Sequence, residues 1–328
     1  MQIMMNTKRL DETFSTIFLV TESLMIIPTI FGNLLLIICI KRYKILQIWS
    51  NILIANLAVS DFLLGLIFIP YDMTLKHVRV MSENKFACLL RNALLLQFVG
   101  ASVFNLLLLS LERYAALAFP LWHFKLSSKW LICSIAVSWI MSTVIAGLPL
   151  AGWNIVNSTN LECTNRFNDN LPISYQTLFI SVFLTSIVIS FILFIKVVII
   201  SFKVLKSYKD KMADILRISP RQLKSSIEKT KLLILVLGVF VLCWLPYGVI
   251  VVLELFIPRE NKTIIQAKAY SSLLAFLNSS VNWIIYGLKN KNIRKAFKQI
   301  LCRKRKQGSG STQMNLTIES FNVCSQNL

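Results

Sequence analysis

The chain has 328 residues, 55% of them hydrophobic, and a formal net charge of +20 at pH 7. Seven apolar runs are long enough, at about 20 residues each, to cross a hydrocarbon core as helices, which excludes an ordinary soluble domain. The basic residues are concentrated in the segments on the side of the C-terminus. The positive-inside rule therefore predicts a membrane protein with an extracellular N-terminus and a cytoplasmic C-terminus. The basic face is expected to meet membrane lipids, and no nucleic acid is expected as a partner.

The predicted fold is an all-α membrane protein, a seven-transmembrane helix bundle with a short amphipathic cytoplasmic helix after the seventh span. Residues 1–13 are predicted to be an extracellular tail without a cleavable signal peptide, because they are polar and mixed in charge. Residues 14–288 form the membrane domain, 289–302 the amphipathic helix and 303–328 a disordered cytoplasmic tail. The predicted spans are 14–40, 52–75, 87–111, 130–151, 174–202, 232–257 and 269–288.

Polar side chains inside the early spans are candidates for function. Asp61 is an acid deep in the second span, and we interpret it as a functional carboxylate, with a structural hydrogen-bonding role as the alternative. Ser102 lies three turns from Arg113 in the third span and is expected to face Asp61. The sequence Glu112-Arg113-Tyr114 ends that span, and an Arg at such a place is expected to act at the membrane interface.

Two of the cysteines, Cys88 and Cys163, fall on the predicted extracellular side, where disulfides persist. One bridge between them is the simpler interpretation, and two free thiols are the alternative. Sequons at Asn157 and Asn261 on the same side are candidate glycosylation sites. Cys302, at the end of the amphipathic helix, is a candidate for palmitoylation, with a free thiol as the alternative.

The sixth span combines a proline with aromatic residues. Pro246 removes a backbone hydrogen bond and is expected to kink the helix close to Trp244, with Phe240 one turn earlier. The seventh span carries a polar stripe on one helix face, which must point into the bundle. Its members are Asn278, Asn282 and Tyr286.

Taken in order, these motifs resemble the rhodopsin-like (class A) family of G protein-coupled receptors, over the chain from Gly32 to about Cys302. The resemblance implies a receptor rather than an enzyme, with a heterotrimeric G protein, arrestin and receptor kinases as partners and an extracellular small-molecule ligand. It rests on Gly32-Asn33, Asn56-Leu57-Ala58 with Asp61, Cys88, Glu112-Arg113-Tyr114, Trp139, Cys243-Trp244-Leu245-Pro246 and Asn282 with Tyr286.

The resemblance also implies how a signal is passed to the G protein. Arg113 would contact the G protein once the sixth helix swings outward, and Glu112 would be its partner at rest. Coupling would also involve Tyr114 and Tyr286, and the activation switch would consist of Phe240, Trp244 and Pro246.

Two further features are implied by the resemblance alone. No cofactor is expected apart from an allosteric sodium ion, and a Cys88–Cys163 disulfide would tie the second extracellular loop over the ligand entrance. The carboxylate that would bind the sodium ion is Asp61. The remaining members of the sodium pocket would be Ser102, Trp244, Asn278 and Asn282.

The chain departs from the family pattern at two functional positions. Trp283 follows Asn282 where the family usually has a proline, so the seventh helix is expected to lack its usual distortion. Ser226 stands where many members have an acid that reaches the Arg of the third helix, and Glu228 lies on another helix face. We therefore expect the interactions that hold Arg113 in the resting receptor to be weaker and basal signalling to be raised.

The ligand is less well defined by the sequence. The run 147–154 looks like the end of the fourth helix in adenosine and lysophospholipid receptors. This similarity favours an adenosine-like or lipid-like ligand. An amine receptor with a non-standard site is an alternative, although Leu95 replaces the expected acid and we expect Asp72 and Glu254 to be solvated. A seven-helix transporter is the other alternative. The ligand pocket is expected to be apolar and lined by Leu95, Leu96, Val99, Trp244, Val251 and Phe276.

Overall fold

A computed structural model of the chain describes residues 2–156, 167–209, 220–254, 256 and 261–301. Within these ranges the chain forms seven long helices and one short terminal helix. They are α1 Gln2–Arg42, α2 Trp49–Leu63, α3 Lys85–Ala118, α4 Ser128–Gly147, α5 Ile173–Lys209, α6 Pro220–Leu253, α7 Lys262–Lys289 and α8 Lys291–Leu301. The α2 helix continues through a π-helical turn, Leu64–Phe68, into Ile69–His77. Short helical segments lie at Lys44–Leu46, Arg79–Ser82, Pro120–Lys125 and Phe167–Asn170.

The predicted seven-helix bundle is confirmed. Among the described residues, six helices are long and apolar enough by themselves to cross a membrane, namely α1 to α6. The seventh, α7, has 28 residues and so spans roughly 42 Å, which is also long enough. Its sequence is less apolar because Asn278, Asn282 and several serines interrupt it, and these side chains are buried where α7 packs between α1 and α6.

The helix ends refine the sequence-based boundaries. The residues predicted to be a tail continue α1, whose helical backbone starts at Gln2. The α5 helix extends beyond its predicted span to Lys209, and α6 begins before its predicted span, at Pro220. The α6 helix continues through Pro246, so the proline is accommodated inside one helix. The amphipathic segment is confirmed as α8, with Ile293, Ala296 and Phe297 buried.

Packing in the bundle is uneven. The α1 helix packs on α2 and α7, while α3 lies against α2, α4 and α5. The α6 helix packs closely on α7 but only sparsely on α5. The bundle therefore has a tight side around α1, α2 and α7 and a looser side between α5 and α6.

Trp283 explains why Gly32 is required at its position in α1. A Cβ atom at Gly32 would collide with the indole of Trp283, so only a glycine lets the ring lie against the α1 backbone. The same ring lies 6.4 Å from the ring of Phe297 in α8, measured between centroids. With Trp283 in the usual place of a proline, α7 stays helical to Lys289 and is packed between α1 and α8.

Candidate functional site

The end of the bundle where α3 terminates, called here the Arg113 end, holds a buried charged cluster. Arg113 donates to both carboxylate oxygens of Glu112 through Nε and a guanidinium nitrogen, and it also contacts the hydroxyl of Ser50. The Ser50 hydroxyl lies 3.3 Å from each Glu112 oxygen. Glu112 and Arg113 are each 8% exposed. The predicted pair is therefore present, and α2 supplies a third member through Ser50.

His123 is a fourth member of this cluster that the sequence did not reveal. It lies in the short helix Pro120–Lys125, and its Nε2 is 3.4 Å from Oε1 of Glu112. Its ring packs 5.3 Å from that of Trp49 in α2. The loop after α3 is thereby attached to the carboxylate that also holds Arg113.

The two tyrosines predicted to take part in coupling lie in different environments. Tyr114 packs edge-on against Phe119 at 6.0 Å, and the ammonium of Lys196 lies 5.7 Å from its ring centroid. Tyr286 is 2% exposed, and its hydroxyl has no hydrogen-bond partner among the described residues. Tyr286 therefore lies in the hydrophobic core rather than on the surface. The side chain of Ser226 lies outside the described residues, while Glu228 is exposed.

The middle of the bundle contains a polar core around Asp61. The Asp61 carboxylate accepts hydrogen bonds from the Ser279 hydroxyl at 2.6 Å and from the Asn282 amide at 2.8 Å. Ser102 lies 3.1 Å from Ser60, hydroxyl to hydroxyl, and Ser60 directly precedes Asp61 in α2. The sequence singled out Asn278 and Asn282 but missed Ser279, which shares the buried face of α7.

The atoms around Asp61 fit a monovalent cation. The side-chain oxygens of Asn278 and Asn282 are buried and have no hydrogen-bond partner among the described residues. Carboxylate, hydroxyl and amide oxygens are the hard ligands that such ions prefer. The described residues hold no group of three or more His, Cys, Asp and Glu side chains able to bind a metal ion, so the charge supplied is that of one carboxylate. The Trp244 indole can only donate, and it would border such an ion rather than bind it.

A row of aromatic rings connects α5 and α6 beside this core. Phe183 of α5 lies 6.2 Å from Phe240, which stacks on Trp244 at 6.0 Å, and Trp244 meets Tyr247 edge-on at 6.0 Å. Phe240 is 1% exposed and Trp244 9%. Aromatic pairs at these centroid distances attract each other beyond their buried area. A displacement of Trp244 would therefore move its neighbours along α6.

A cavity of about 470 Å³ lies beside this row between α3, α5 and α6, and it is called here the apolar cavity. Five of the six predicted pocket residues line it, and the exception is Phe276, which packs edge-on against Phe68 at 5.7 Å. The lining is almost wholly hydrocarbon and aromatic. The five residues are Leu95, Leu96, Val99, Trp244 and Val251.

Buried ion pairs occupy the opposite end of the bundle, called here the Cys88 end, where α3 begins. The acid of Asp72 lies 2.6 Å from the Lys76 ammonium and 3.9 Å from the Arg91 guanidinium, while Lys76 is 3.1 Å from Glu22 in α1. Lys268 of α7 pairs with Glu254 at 2.7 Å. The expectation that Asp72 and Glu254 are solvated was wrong, because they are 6% and 4% exposed. Helix packing supplies partners that make buried charge tolerable.

A comparison with protein families decides the class of this protein. The model of the 7 transmembrane receptor (rhodopsin family) matches residues 32–286, well over half of the chain. The chain belongs to this family. The resemblance inferred from the motifs is thus confirmed, and the protein is a G protein-coupled receptor that crosses the plasma membrane several times. The family is generally non-enzymatic.

The relatives of this receptor include adenosine receptors and lysophosphatidic acid receptors. The human adenosine receptor A2b is 26% identical over 311 residues, which cover 89% of this chain and 92% of that receptor. The lysophosphatidic acid receptor 1-A of Xenopus laevis is 29% identical over 291 residues, covering 86% of this chain and 75% of that receptor. The lysophosphatidic acid receptor 1 of Ovis aries is 28% identical over 291 residues, covering 86% and 70%. The family is therefore shown and the ligand is unassigned.

Several predicted modification sites of the receptor lie at the edge of the described chain. Cys88 is in a disulfide, and its predicted partner Cys163 lies outside the described residues, so their pairing stays a prediction. Asn157 and Cys302 also lie outside the described residues. Asn261 is exposed, and its side-chain oxygen caps α7 by accepting from the Ile264 amide at 3.2 Å.

Proposed function

We propose that this receptor binds a lipid-like ligand in the apolar cavity and transmits its binding to a heterotrimeric G protein at the Arg113 end. The observation that carries this proposal is the lining of the cavity. Hydrocarbon side chains surround Trp244, so a ligand there would gain affinity mainly from burying apolar surface. The ligand would also touch the aromatic row directly.

Two of the polar side chains that line the cavity already have partners, whereas the indole Nε1 of Trp244 has none among the described residues. The Tyr175 hydroxyl donates to the Ile145 carbonyl at 2.9 Å, and the Gln176 amide donates to the Leu171 carbonyl at 2.8 Å. A purine could accept one hydrogen bond from that indole, but its other ring nitrogens would lack partners in such a lining, which costs affinity. The lining therefore favours a lysophospholipid-like ligand over an adenosine-like ligand. An amine is disfavoured because Asp72 is already paired with Lys76 and Arg91.

Transmission follows from the aromatic row. A ligand against Trp244 would shift it and Phe240, and Pro246 lets the helix bend close to that point because no backbone hydrogen bond is made there. Movement of α6 at the opposite end would open access to Arg113, which is held by Glu112 and Ser50. Arg113 would then exchange these partners for the G protein.

An orientation and several attachments complete the proposal. The Cys88 end faces outward with the N-terminus, and the Arg113 end, α8 and the C-terminus face the cytoplasm, in line with the positive-inside rule. A Cys88–Cys163 disulfide and glycans at Asn157 and Asn261 would lie outside. Palmitate on Cys302 would anchor the end of α8, and arrestin and receptor kinases would bind on the cytoplasmic side. The receptor itself would catalyse no reaction.

A sodium ion is the one cofactor proposed. Asp61 would supply its charge, with oxygens of Asn278 and Asn282 and the Ser102 hydroxyl nearby as further ligands. When bound, the ion would neutralise a buried carboxylate and favour the packed arrangement of α2, α3 and α7.

Guanine nucleotide exchange on purified heterotrimeric G proteins of each α class tests the proposed function. Membranes that contain the receptor are exposed separately to lysophosphatidic acid, adenosine, a biogenic amine and a peptide, with receptor-free membranes as the control. We expect lysophosphatidic acid to raise exchange and the other three to leave it unchanged. A response to adenosine alone would overturn the ligand class. No response to any ligand with any α class would overturn the function.

A further inference from the structure

The apolar cavity opens sideways between α5 and α6. Several residues that line it are also exposed. Among them, Leu184 of α5 is 54% exposed, and Leu245 and Val249 of α6 are 58% and 48% exposed. Because these side chains line the cavity on one side and reach the outer surface on the other, we place the opening of the cavity at them. The sparse packing of α5 on α6 leaves room for it.

This opening lies at the level of the membrane. Leu184 belongs to the membrane-spanning part of α5, Ile173–Lys203, and Leu245 and Val249 belong to that of α6, Lys231–Leu253. The medium outside these segments is hydrocarbon rather than water. A cavity with an almost wholly apolar lining that opens there is filled most favourably by hydrocarbon, because water would find few hydrogen-bond partners inside beyond the Trp244 indole.

The alternative route from the Cys88 end passes a layer of paired charges. Tyr247 lines the cavity, and the Lys268 ammonium lies 6.0 Å from the centroid of its ring. Lys268 is in turn paired with Glu254, and both side chains are buried. A hydrocarbon chain that entered here would have to leave water and pass groups that gain nothing from contact with it.

We propose that acyl chains of membrane lipids enter the apolar cavity laterally between α5 and α6 and reach Trp244 from the bilayer. This inference rests on the proposed function and deepens it, because it assigns the ligand's hydrocarbon part and its route. The bilayer then acts as the reservoir of the ligand. The aromatic row is the surface against which its chain packs.

Two glycines of α6 make this testable with a matched pair of variants. Gly248 lines the cavity, and a Cβ atom there would meet no other atom within 4 Å, so a larger side chain can extend into open space. A Cβ atom at Gly238 would also meet nothing within 4 Å, but Gly238 does not line the cavity. The changes Gly248→Leu and Gly238→Leu therefore alter the same helix by the same atoms, and only the first fills the cavity.

Bromine-labelled lipids report contact with tryptophan because bromine quenches indole fluorescence. The full-length receptor is placed in nanodiscs of phosphatidylcholine, either with brominated or with ordinary acyl chains, and the contribution of Trp244 is obtained by subtracting the Trp244→Phe variant. We expect brominated chains to quench most of the Trp244 emission. Gly248→Leu should abolish that quenching, whereas Gly238→Leu should leave it as in the wild type.

Trp244 emission that is unchanged by brominated lipid, or quenched equally in Gly248→Leu, would overturn lateral entry. Nucleotide exchange driven by lysophosphatidic acid is measured on the same nanodiscs to separate the two proposals. Exchange without quenching would leave the proposed function standing and overturn the lateral route. Quenching that is sensitive to Gly248→Leu but without exchange would support the lateral site and count against the proposed function.

Discussion

The Arg113 end and the apolar cavity are built on opposite principles. At the Arg113 end two buried charges are held by named partners, with Glu112 in contact with Arg113, Ser50 and His123. In the cavity most side chains are apolar, make non-directional contacts and surround open space. Removing either Glu112 or Arg113 leaves the other charge buried without its ion-pair partner, whereas adding atoms to the cavity only fills a void.

This difference explains why the Arg113 end requires one fixed geometry, whereas the cavity can accept ligands of different shape. Buried charges fix one geometry because each needs specific neighbours at short distance. Apolar contacts are non-directional and scale with area, so many ligand shapes can use the same lining. A family can therefore keep one signalling end while its members bind chemically different ligands. The predictions that follow test this contrast, beginning with the largest expected effect.

Arg113→Met should abolish nucleotide exchange on the G protein. The change removes the group proposed to contact the G protein and leaves the Glu112 carboxylate buried with Ser50 and His123, which destabilises the fold by about 3–5 kcal/mol. Lys125→Met is the matched control, because Lys125 is an exposed cation on the neighbouring loop helix. Equal loss of exchange in both variants, at equal expression, would show that charge alone matters at this end.

Gly32→Ala should lower the thermal stability of the purified receptor. The added methyl collides with the Trp283 indole, and overpacking of this kind costs about 1–3 kcal/mol. The second change Trp283→Ala should recover part of the loss in the double variant. Gly147→Ala serves as the control, since a Cβ atom there meets nothing within 4 Å. If Gly32→Ala were as stable as Gly147→Ala, the tight side of the bundle would be looser than described.

Sodium should stabilise the wild-type receptor more than choline at equal ionic strength. An ion that binds only the folded state adds stability by mass action, and we expect a shift of a few degrees, corresponding to about 1 kcal/mol. Asp61→Asn should abolish the difference between the two salts, since it removes the only carboxylate of the pocket described here. A sodium effect that survives in Asp61→Asn would place the ion elsewhere.

His123→Phe should have the smallest effect in this series. Phenylalanine keeps an aromatic ring against Trp49 but removes the nitrogen that lies 3.4 Å from Glu112. Loss of one such contact costs about 1 kcal/mol or less when the carboxylate retains other partners. Basal nucleotide exchange is the measurement, with a rise of a few-fold expected. An effect as large as that of Arg113→Met would mean that His123 does more than position Glu112.

The sequence predicted site residues that can be recognised from their neighbours or spacing along the chain. It missed residues that reach the site only because helices and loops pack together. The adjacent Glu112 and Arg113 pair because they are neighbours in the chain, and Asn282 was identified through its spacing from Asn278 and Tyr286. Ser50 and His123, by contrast, approach Glu112 from another helix and from a loop, and no spacing pattern records that approach.

The same reason accounts for the errors at the Cys88 end. Near the ends of the spans an acid such as Asp72 or Glu254 looks solvated, because its partner lies on a different part of the fold. The departure at Trp283 was visible in the sequence, but its contact with Gly32 depends on how α1 and α7 meet. Apolar pocket residues were found more readily, since a run without polar residues remains apolar wherever it packs.

The central claim is that a ligand in the apolar cavity controls the Arg113 end. Its most direct test is the concentration of lysophosphatidic acid that gives half-maximal nucleotide exchange, compared between Gly248→Leu and Gly238→Leu. Filling the cavity should raise that concentration by about tenfold or more, equivalent to at least about 1.4 kcal/mol of binding free energy, while Gly238→Leu should match the wild type. Equal values for the two variants would contradict the claim.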